Sequence, residues 1–219
     1  MSVIHAGPDL ASIAIDNIIM SLRGRLLEKS RVSIALSGGR NARSILRALS
    51  QASIEWNRVD IYQVDERVVP LGDPARNPTK LAKELLDLVP ATMYAMPVDE
   101  PDMEAAADRY ASLLPMAVDV VHLGLGKDGH TASLVPDDPV LSIADRPVAV
   151  TRPYKGRHRM TLTFPALDRA RSIVWIVDGA DKAPMVERLL AADQTIPAGR
   201  VCQKRATLIT NSVITGETP

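Results

Sequence analysis

The chain has 219 residues, 46% of them hydrophobic, enough for one sizeable core and short for two independent ones, so residues 1–219 are expected to form a single domain. Lysine plus arginine balance aspartate plus glutamate at 26 each, which leaves no long-range field to gather nucleic acid or an anionic membrane. Cys202 is the single cysteine, so an intramolecular disulfide and a multi-cysteine metal site are excluded. No apolar stretch approaches the length needed to span a bilayer, and residues 1–20 lack a basic, apolar, small-residue leader. A soluble, cytoplasmic protein is expected. One phenylalanine and two tryptophans supply no stacking platform for single-stranded nucleic acid.

Helical spacing of Leu10, Ile13, Ala14, Ile18, Leu22 and Leu26 predicts a long amphipathic helix over 10–27. A β-branched strand over 31–36 then runs into Ser37-Gly38-Gly39, and 41–49 resumes the helical pattern. The next strand covers 59–64 and ends at Asp65-Glu66-Arg67. A loop rich in proline and glycine over 70–78 leads to a helix over 79–88. Short strands follow at 92–96 and 118–123, separated by a helix over 103–114. The last third reads as strands at 148–151, 159–164 and 172–177, a helix over 181–192 and a strand at 206–209. Strands alternating with helices predict an α/β fold, a mostly parallel sheet covered by helices on both faces, with ligands at the carboxyl ends of the strands.

Five places are candidates to carry chemistry. Ser37-Gly38-Gly39-Arg40-Asn41 lies between a strand and a helix, where free amides and the helix dipole favour an anion; a tight turn capped by Asn41 is the plainer alternative. Gly124-Leu125-Gly126-Lys127-Asp128-Gly129 matches the dinucleotide fingerprint literally, but Pro136 and Pro139 interrupt the helix that should follow. His130, directly after it, carries an imidazole able to take and return a proton near neutral pH. Asp128 can fix its tautomer or bind a substrate hydroxyl, or both side chains can simply bond the turn. His5, His122 and His158 have no metal-ligand spacing with His130, and no Gly-x-Ser-x-Gly elbow is present. Asp65-Glu66-Arg67 places two acids and a permanent cation at the ligand edge of the sheet, with Arg67 suited to polarising a carbonyl or holding a carboxylate. A surface ion-pair cluster is the alternative. Arg159 and Lys182 can each supply a phosphate counter-charge or be solvated.

Taken together, Leu36-Ser37-Gly38-Gly39, Asp65-Glu66-Arg67-Val68-Val69-Pro70, Asn77, Gly124 to Pro136, Arg159-Met160-Thr161-Leu162-Thr163, Gly179-Ala180-Asp181-Lys182-Ala183 and Ile196-Pro197-Ala198 resemble the 6-phosphogluconolactonase family. The specific segment is Asp128-Gly129-His130-Thr131-Ala132-Ser133-Leu134. Related glucosamine-6-phosphate deaminases share Asp-Gly-His but follow it with an Asn-Glu-Pro element, which is not the tail here. The family usually continues its first glycine loop with Ser-Thr-Pro-Lys, whereas this chain has Arg40-Asn41-Ala42-Arg43, where Arg40 or Arg43 can replace the lost donors. Ile209-Thr210-Asn211-Ser212 also lacks an aspartate the family often carries near its end.

The resemblance implies a three-layer, Rossmann-like α/β sheet of the sugar-phosphate isomerase and deaminase kind. It implies a catalytic domain that hydrolyses 6-phospho-D-glucono-1,5-lactone without a cofactor or metal, its small-molecule partner being that lactone. His130 is then expected to act as base and afterwards as acid. Arg67 is expected to stabilise the oxyanion or fix the substrate, and Asp128 to orient the sugar or His130. Ser37, Gly38, Gly39, Arg40, Asp65, Gly126, Arg159 and Lys182 are expected to bind the phosphate and sugar.

Overall fold

The strands are β1 (Ser2–His5), β2 (Val32–Leu36), β3 (Val59–Gln63), β4 (Asp65–Arg67), β5 (Thr92–Tyr94), β6 (Val120–Leu123), β7 (Val148–Val150), β8 (Arg159–Leu162), β9 (Ser172–Val177) and β10 (Ala206–Thr210). The computed structural model describes residues 1–38 and 42–212. The central sheet runs β1-β10-β9-β6-β2-β3-β5, with every neighbouring pair parallel. The helices are α1 (Leu10–Leu26), α2 (Ala42–Ser50), α3 (Asn77–Leu81), α4 (Met103–Leu113), α5 (Phe164–Asp168), α6 (Ala183–Leu190) and α7 (Pro197–Arg200). A single wide turn, Ala82–Leu86, continues α3.

Side chains alternate across a strand, and a parallel strand covered on both faces needs apolar residues at both parities. One parity, with Ile34, Ile61, Val120, Val174 and Ile209, packs against Ile18 and Leu22 of α1 and Leu46 and Leu49 of α2. The other, with Ala35, Tyr62, Val121, Leu123 and Trp175, packs against Tyr110 of α4, Leu162 of β8 and Val186 of α6. The result is the three-layer arrangement the sequence predicts. Asp102 fixes the start of α4 by accepting a bond from the Ala105 amide at 3.0 Å. No helix among the described residues is long and apolar enough to cross a membrane.

Asp65-Glu66-Arg67 does not close the preceding strand, contrary to the sequence reading. It forms β4 in a second, antiparallel sheet of order β4-β8-β7, with Asp65 opposite Thr161 and Arg67 opposite Arg159. Val64 is where the chain changes partners. Its amide still donates to Leu36 of β2 at 3.2 Å, while its carbonyl accepts from Leu162 of β8 at 2.8 Å. The predicted strands at 148–151 and 159–164 belong to this second sheet as well. The edge strand β1 escaped prediction because only Val3 and Ile4 supply an apolar signal there.

From β2 the order proceeds to β3 and β5, and from β6 in the opposite direction to β9 and β10. The loops leaving β2 and β6 therefore diverge at the point where ligands bind in such sheets.

Candidate active site

A cavity of about 760 Å³ opens at that switch point, bounded by the loops after β2, β6 and β9 and by the antiparallel sheet. Its size suits a sugar-sized ligand. The loop after β6 is tightly wound. Gly126 N–H donates to the His130 carbonyl at 2.8 Å and Gly129 N–H to the Gly126 carbonyl at 3.1 Å. Gly129 has φ of 79°, a left-handed conformation that favours glycine. A side chain at Gly126 would collide with the His130 ring and the Asp128 carboxylate. Gly126 thus makes room for the histidine ring, whereas Gly129 makes room for Ile196, which a side chain there would strike. No helix follows them: Thr131 and Leu134 bridge to each other, so the dinucleotide fingerprint is not realised.

His130 Nδ1 pairs with Asp128 Oδ1, and the His130 amide also donates to Asp128 Oδ1 at 3.3 Å. Tyr154 supplies the second oxygen's partner, its hydroxyl donating to Asp128 Oδ2 at 3.0 Å. Burial pushes the Asp128 carboxyl upward, but the bonds from His130 and Tyr154 outweigh it and hold the group below the usual carboxylate range. With Nδ1 engaged, Nε2 is the ring nitrogen left to meet a water or substrate in the cavity that His130 lines.

Arg67 and Arg159 stand opposite each other across the β4–β8 pair. Arg67 donates through one guanidinium nitrogen to the Ala75 carbonyl at 2.7 Å and to Asn77 Oδ1 at 3.2 Å. Beneath it, buried Glu66 accepts from the Arg67 amide at 2.7 Å, the Asn77 amide at 2.9 Å and Gln63 Nε2 at 2.9 Å. Burial nonetheless leaves the Glu66 carboxyl above its usual range. Arg159 lies 3.8 Å from Asp65 Oδ2, and its buried Nε has no hydrogen-bond partner among the described residues. Burial lowers the Arg159 pKa; Asp65 pushes it back up and nearby Arg67 lowers it further.

The structure brings Ser37, Gly38, Asp65, Arg67, Gly126, Asp128, His130, Arg159 and Lys182 to this one cavity. Lys182 donates to the Leu125 carbonyl at 2.8 Å. Gly39 and Arg40 lie outside the described residues. Arg43 ion-pairs with Glu84 at 2.7 Å rather than facing the cavity. Sequence reading gave no role to Tyr154, Lys155, Arg157 or His122, all of which line it. For Tyr154 a signal existed: Tyr154-Lys155-Gly156-Arg157 between two strands is a hairpin turn. Ser133, also unassigned, is fully buried, and its hydroxyl donates to Asp65 Oδ2 at 2.6 Å.

Known proteins resemble the chain in sequence and in fold. The family model described as glucosamine-6-phosphate isomerases/6-phosphogluconolactonase matches residues 7–210. A 6-phosphogluconolactonase of Synechocystis is 33% identical over 84% of this chain and 82% of its own length, and one of Streptomyces coelicolor is 34% identical over 90% and 85%. The crystal structure of 6-phosphogluconolactonase from Thermotoga maritima superposes with a TM-score of 0.87 at 25% identity, covering 95% of this chain and 98% of that one. A monomeric glucosamine-6-phosphate deaminase shares the fold, with a TM-score of 0.85 at 16% identity over 96% of this chain and 97% of its own.

Proposed function

Because the chain belongs to the 6-phosphogluconolactonase family, enzymes of lactone hydrolysis in the pentose phosphate pathway, we propose that it opens 6-phospho-D-glucono-1,5-lactone with a water that His130 deprotonates, without a covalent intermediate. His130 Nε2 takes a proton from water as the oxygen attacks the lactone carbonyl. The tetrahedral intermediate then collapses, the carbon–ring-oxygen bond breaks, and the same nitrogen returns the proton to the departing oxygen. The carboxylic acid so formed releases its proton to solvent, giving 6-phospho-D-gluconate.

Arg67 stabilises the oxyanion or fixes the substrate for other donors to do so. Asp128 orients His130, a role favoured over sugar binding because His130 and Tyr154 already engage its two oxygens. Ser37, Gly38 and Gly39, with Arg159, Lys182 and Arg40, take the phosphate, while Asp65 and Gly126 shape the sugar site. Residues 1–219 act as one catalytic domain in the cytoplasm, with no cofactor, on a freely diffusing sugar-phosphate lactone.

The observation that carries this reading is the His130–Asp128 pair in a cavity that also holds Arg67, Arg159 and Lys182. One residue able to take and return a proton, a carboxylate that orients it and cations for oxyanion and phosphate meet the needs of ester hydrolysis. The purified chain is expected to accelerate decay of freshly generated 6-phosphogluconolactone above its spontaneous hydrolysis. No acceleration by the folded protein, with ammonia released from glucosamine 6-phosphate, would overturn the reading in favour of a deaminase.

A further inference from the structure

The hairpin between β7 and β8 reaches over the catalytic loop, and its tip is well defined by its own backbone. Tyr154 N–H donates to the Arg157 carbonyl at 2.9 Å and Arg157 N–H to the Tyr154 carbonyl at 3.3 Å. The two residues between them, Lys155 and Gly156, have φ of 52° and 76°. Left-handed conformation at both central positions is the geometry of a tight two-residue hairpin turn, and the Tyr154–Arg157 bridge it closes stands beyond the paired ends of β7 and β8. The turn therefore sets where Tyr154 stands.

From that position Tyr154 touches both members of the acid–histidine pair. Its hydroxyl donates to Asp128 Oδ2 at 3.0 Å, and its ring meets the His130 ring edge-on, with centroids 5.6 Å apart and planes at 60°. Arg159 and Lys155 lie 5.2 and 5.0 Å from the Tyr154 ring centroid, within reach of a cation–π attraction. We propose that Tyr154 is a positioning residue for lactone hydrolysis: by occupying Asp128 Oδ2 it fixes the carboxylate plane and sets both the orientation and the basicity of His130. This inference rests on His130 being the proton carrier.

The physical argument concerns how a carboxylate shares its charge. With Oδ2 unpartnered, the Asp128 carboxylate could rotate and present either oxygen to the imidazole. A phenol donor on Oδ2 leaves Oδ1 as the oxygen for Nδ1, which selects the tautomer with Nε2 as the free base. The same donor withdraws charge from the carboxylate, so the imidazolium formed during the reaction is stabilised less than by a bare Asp128. Other charged groups face the trio too. Arg159 and Lys155 flank the Tyr154 ring, and Asp65 and Arg67 stand beside Arg159. Lys182 and the Lys127–Asp181 pair at 2.7 Å line the same cavity. Since Tyr154→Phe changes no formal charge, their contribution stays the same in a comparison with that variant.

Tyr154→Phe keeps the ring contacts and removes only the donor. In the lactone assay it should lower kcat about three- to tenfold at unchanged KM and move the acid limb of kcat/KM upward by about half a pH unit. In the enzyme without substrate, the imidazole NMR titration of His130, identified by its loss in His130→Asn, should move upward with it. In an Asp128→Asn background Tyr154→Phe should change neither quantity further, because the hydroxyl acts through the carboxylate. Profiles and titrations superimposable on wild type would overturn the proposal, as would a raised KM with kcat and acid limb unchanged, which would place Tyr154 on the substrate. An NMR shift in a protein without lactonase activity would support the Tyr154–Asp128–His130 linkage while refuting the lactone reading.

Discussion

Ser133 Oγ donates to Asp65 Oδ2 at 2.6 Å, with both side chains buried. The contact fastens the tail of the loop that carries His130 to the first residue of β4. A second anchor supports it, the Ser133 amide donating to Thr161 Oγ1 at 3.1 Å. The catalytic loop is thus sewn to the antiparallel sheet at two points on one residue.

Ser133→Ala should remove the first anchor and leave the second. Hydrogen bonds to a charged group contribute about 1.5–3 kcal/mol, so a stability loss in that range is expected in urea unfolding. A change within about 0.5 kcal/mol, as for an ordinary surface substitution, would show that the bond does not hold the loop.

Gly38 lies against Asn77 so closely that a methyl group there would collide with the Asn77 amide. Asn77 is buried, accepts from Arg67 at 3.2 Å and donates to the Asp65 carbonyl at 3.0 Å. Gly38→Ala should therefore displace Arg67 indirectly and lower kcat/KM by roughly ten- to a hundredfold, since small misplacements at a reacting centre are costly. Full activity in Gly38→Ala would contradict the Asn77–Arg67 link.

Lys182→Ala should act on binding. The ammonium group lines the cavity and donates to the Leu125 carbonyl, and neither His130 nor Asp128 uses it as a hydrogen-bond partner among the bonds described for them. A raised KM with little change in kcat is expected. An unchanged KM would remove Lys182 from the phosphate site.

His122, on β6, is buried, and burial pushes its pKa down to about 4. An unfolded histidine titrates near 6.5, so between these values the unfolded state binds a proton that the folded state does not. Stability should then rise with pH across that window and fall on acidification through it, by about 3 kcal/mol at most. Glu66, held above its usual range by burial, contributes with the opposite sign. Comparison with His122→Leu isolates the histidine: the variant's unfolding free energy should vary less between pH 6.5 and 4 than that of wild type. Parallel curves would show that His122 is not buried neutral.

Much of the fold was legible because periodicity reports burial. The spacing of Leu10, Ala14, Ile18 and Leu22 predicts α1, and these residues are buried in it. The transfer from one sheet to the other at Val64 was not legible, since it depends on partners far away in sequence, Leu36 on one side and Leu162 on the other. The candidate site followed the same division. Asp128 and His130 are two residues apart and could be paired from the chain alone. Tyr154 reaches Asp128 across 26 positions and Ser133 reaches Asp65 across 68, contacts that only the folded hairpin and sheet create.

The central claim is that His130 carries the proton in lactone opening. The direct measurement follows decay of freshly generated 6-phosphogluconolactone with wild type and with His130→Asn, after subtracting spontaneous hydrolysis and verifying both folds by thermal unfolding. General acid and base participation contributes about a hundredfold to ten thousandfold, so the account predicts at least a hundredfold loss of catalysed rate in the variant. Near-wild-type turnover in a folded His130→Asn protein would contradict it.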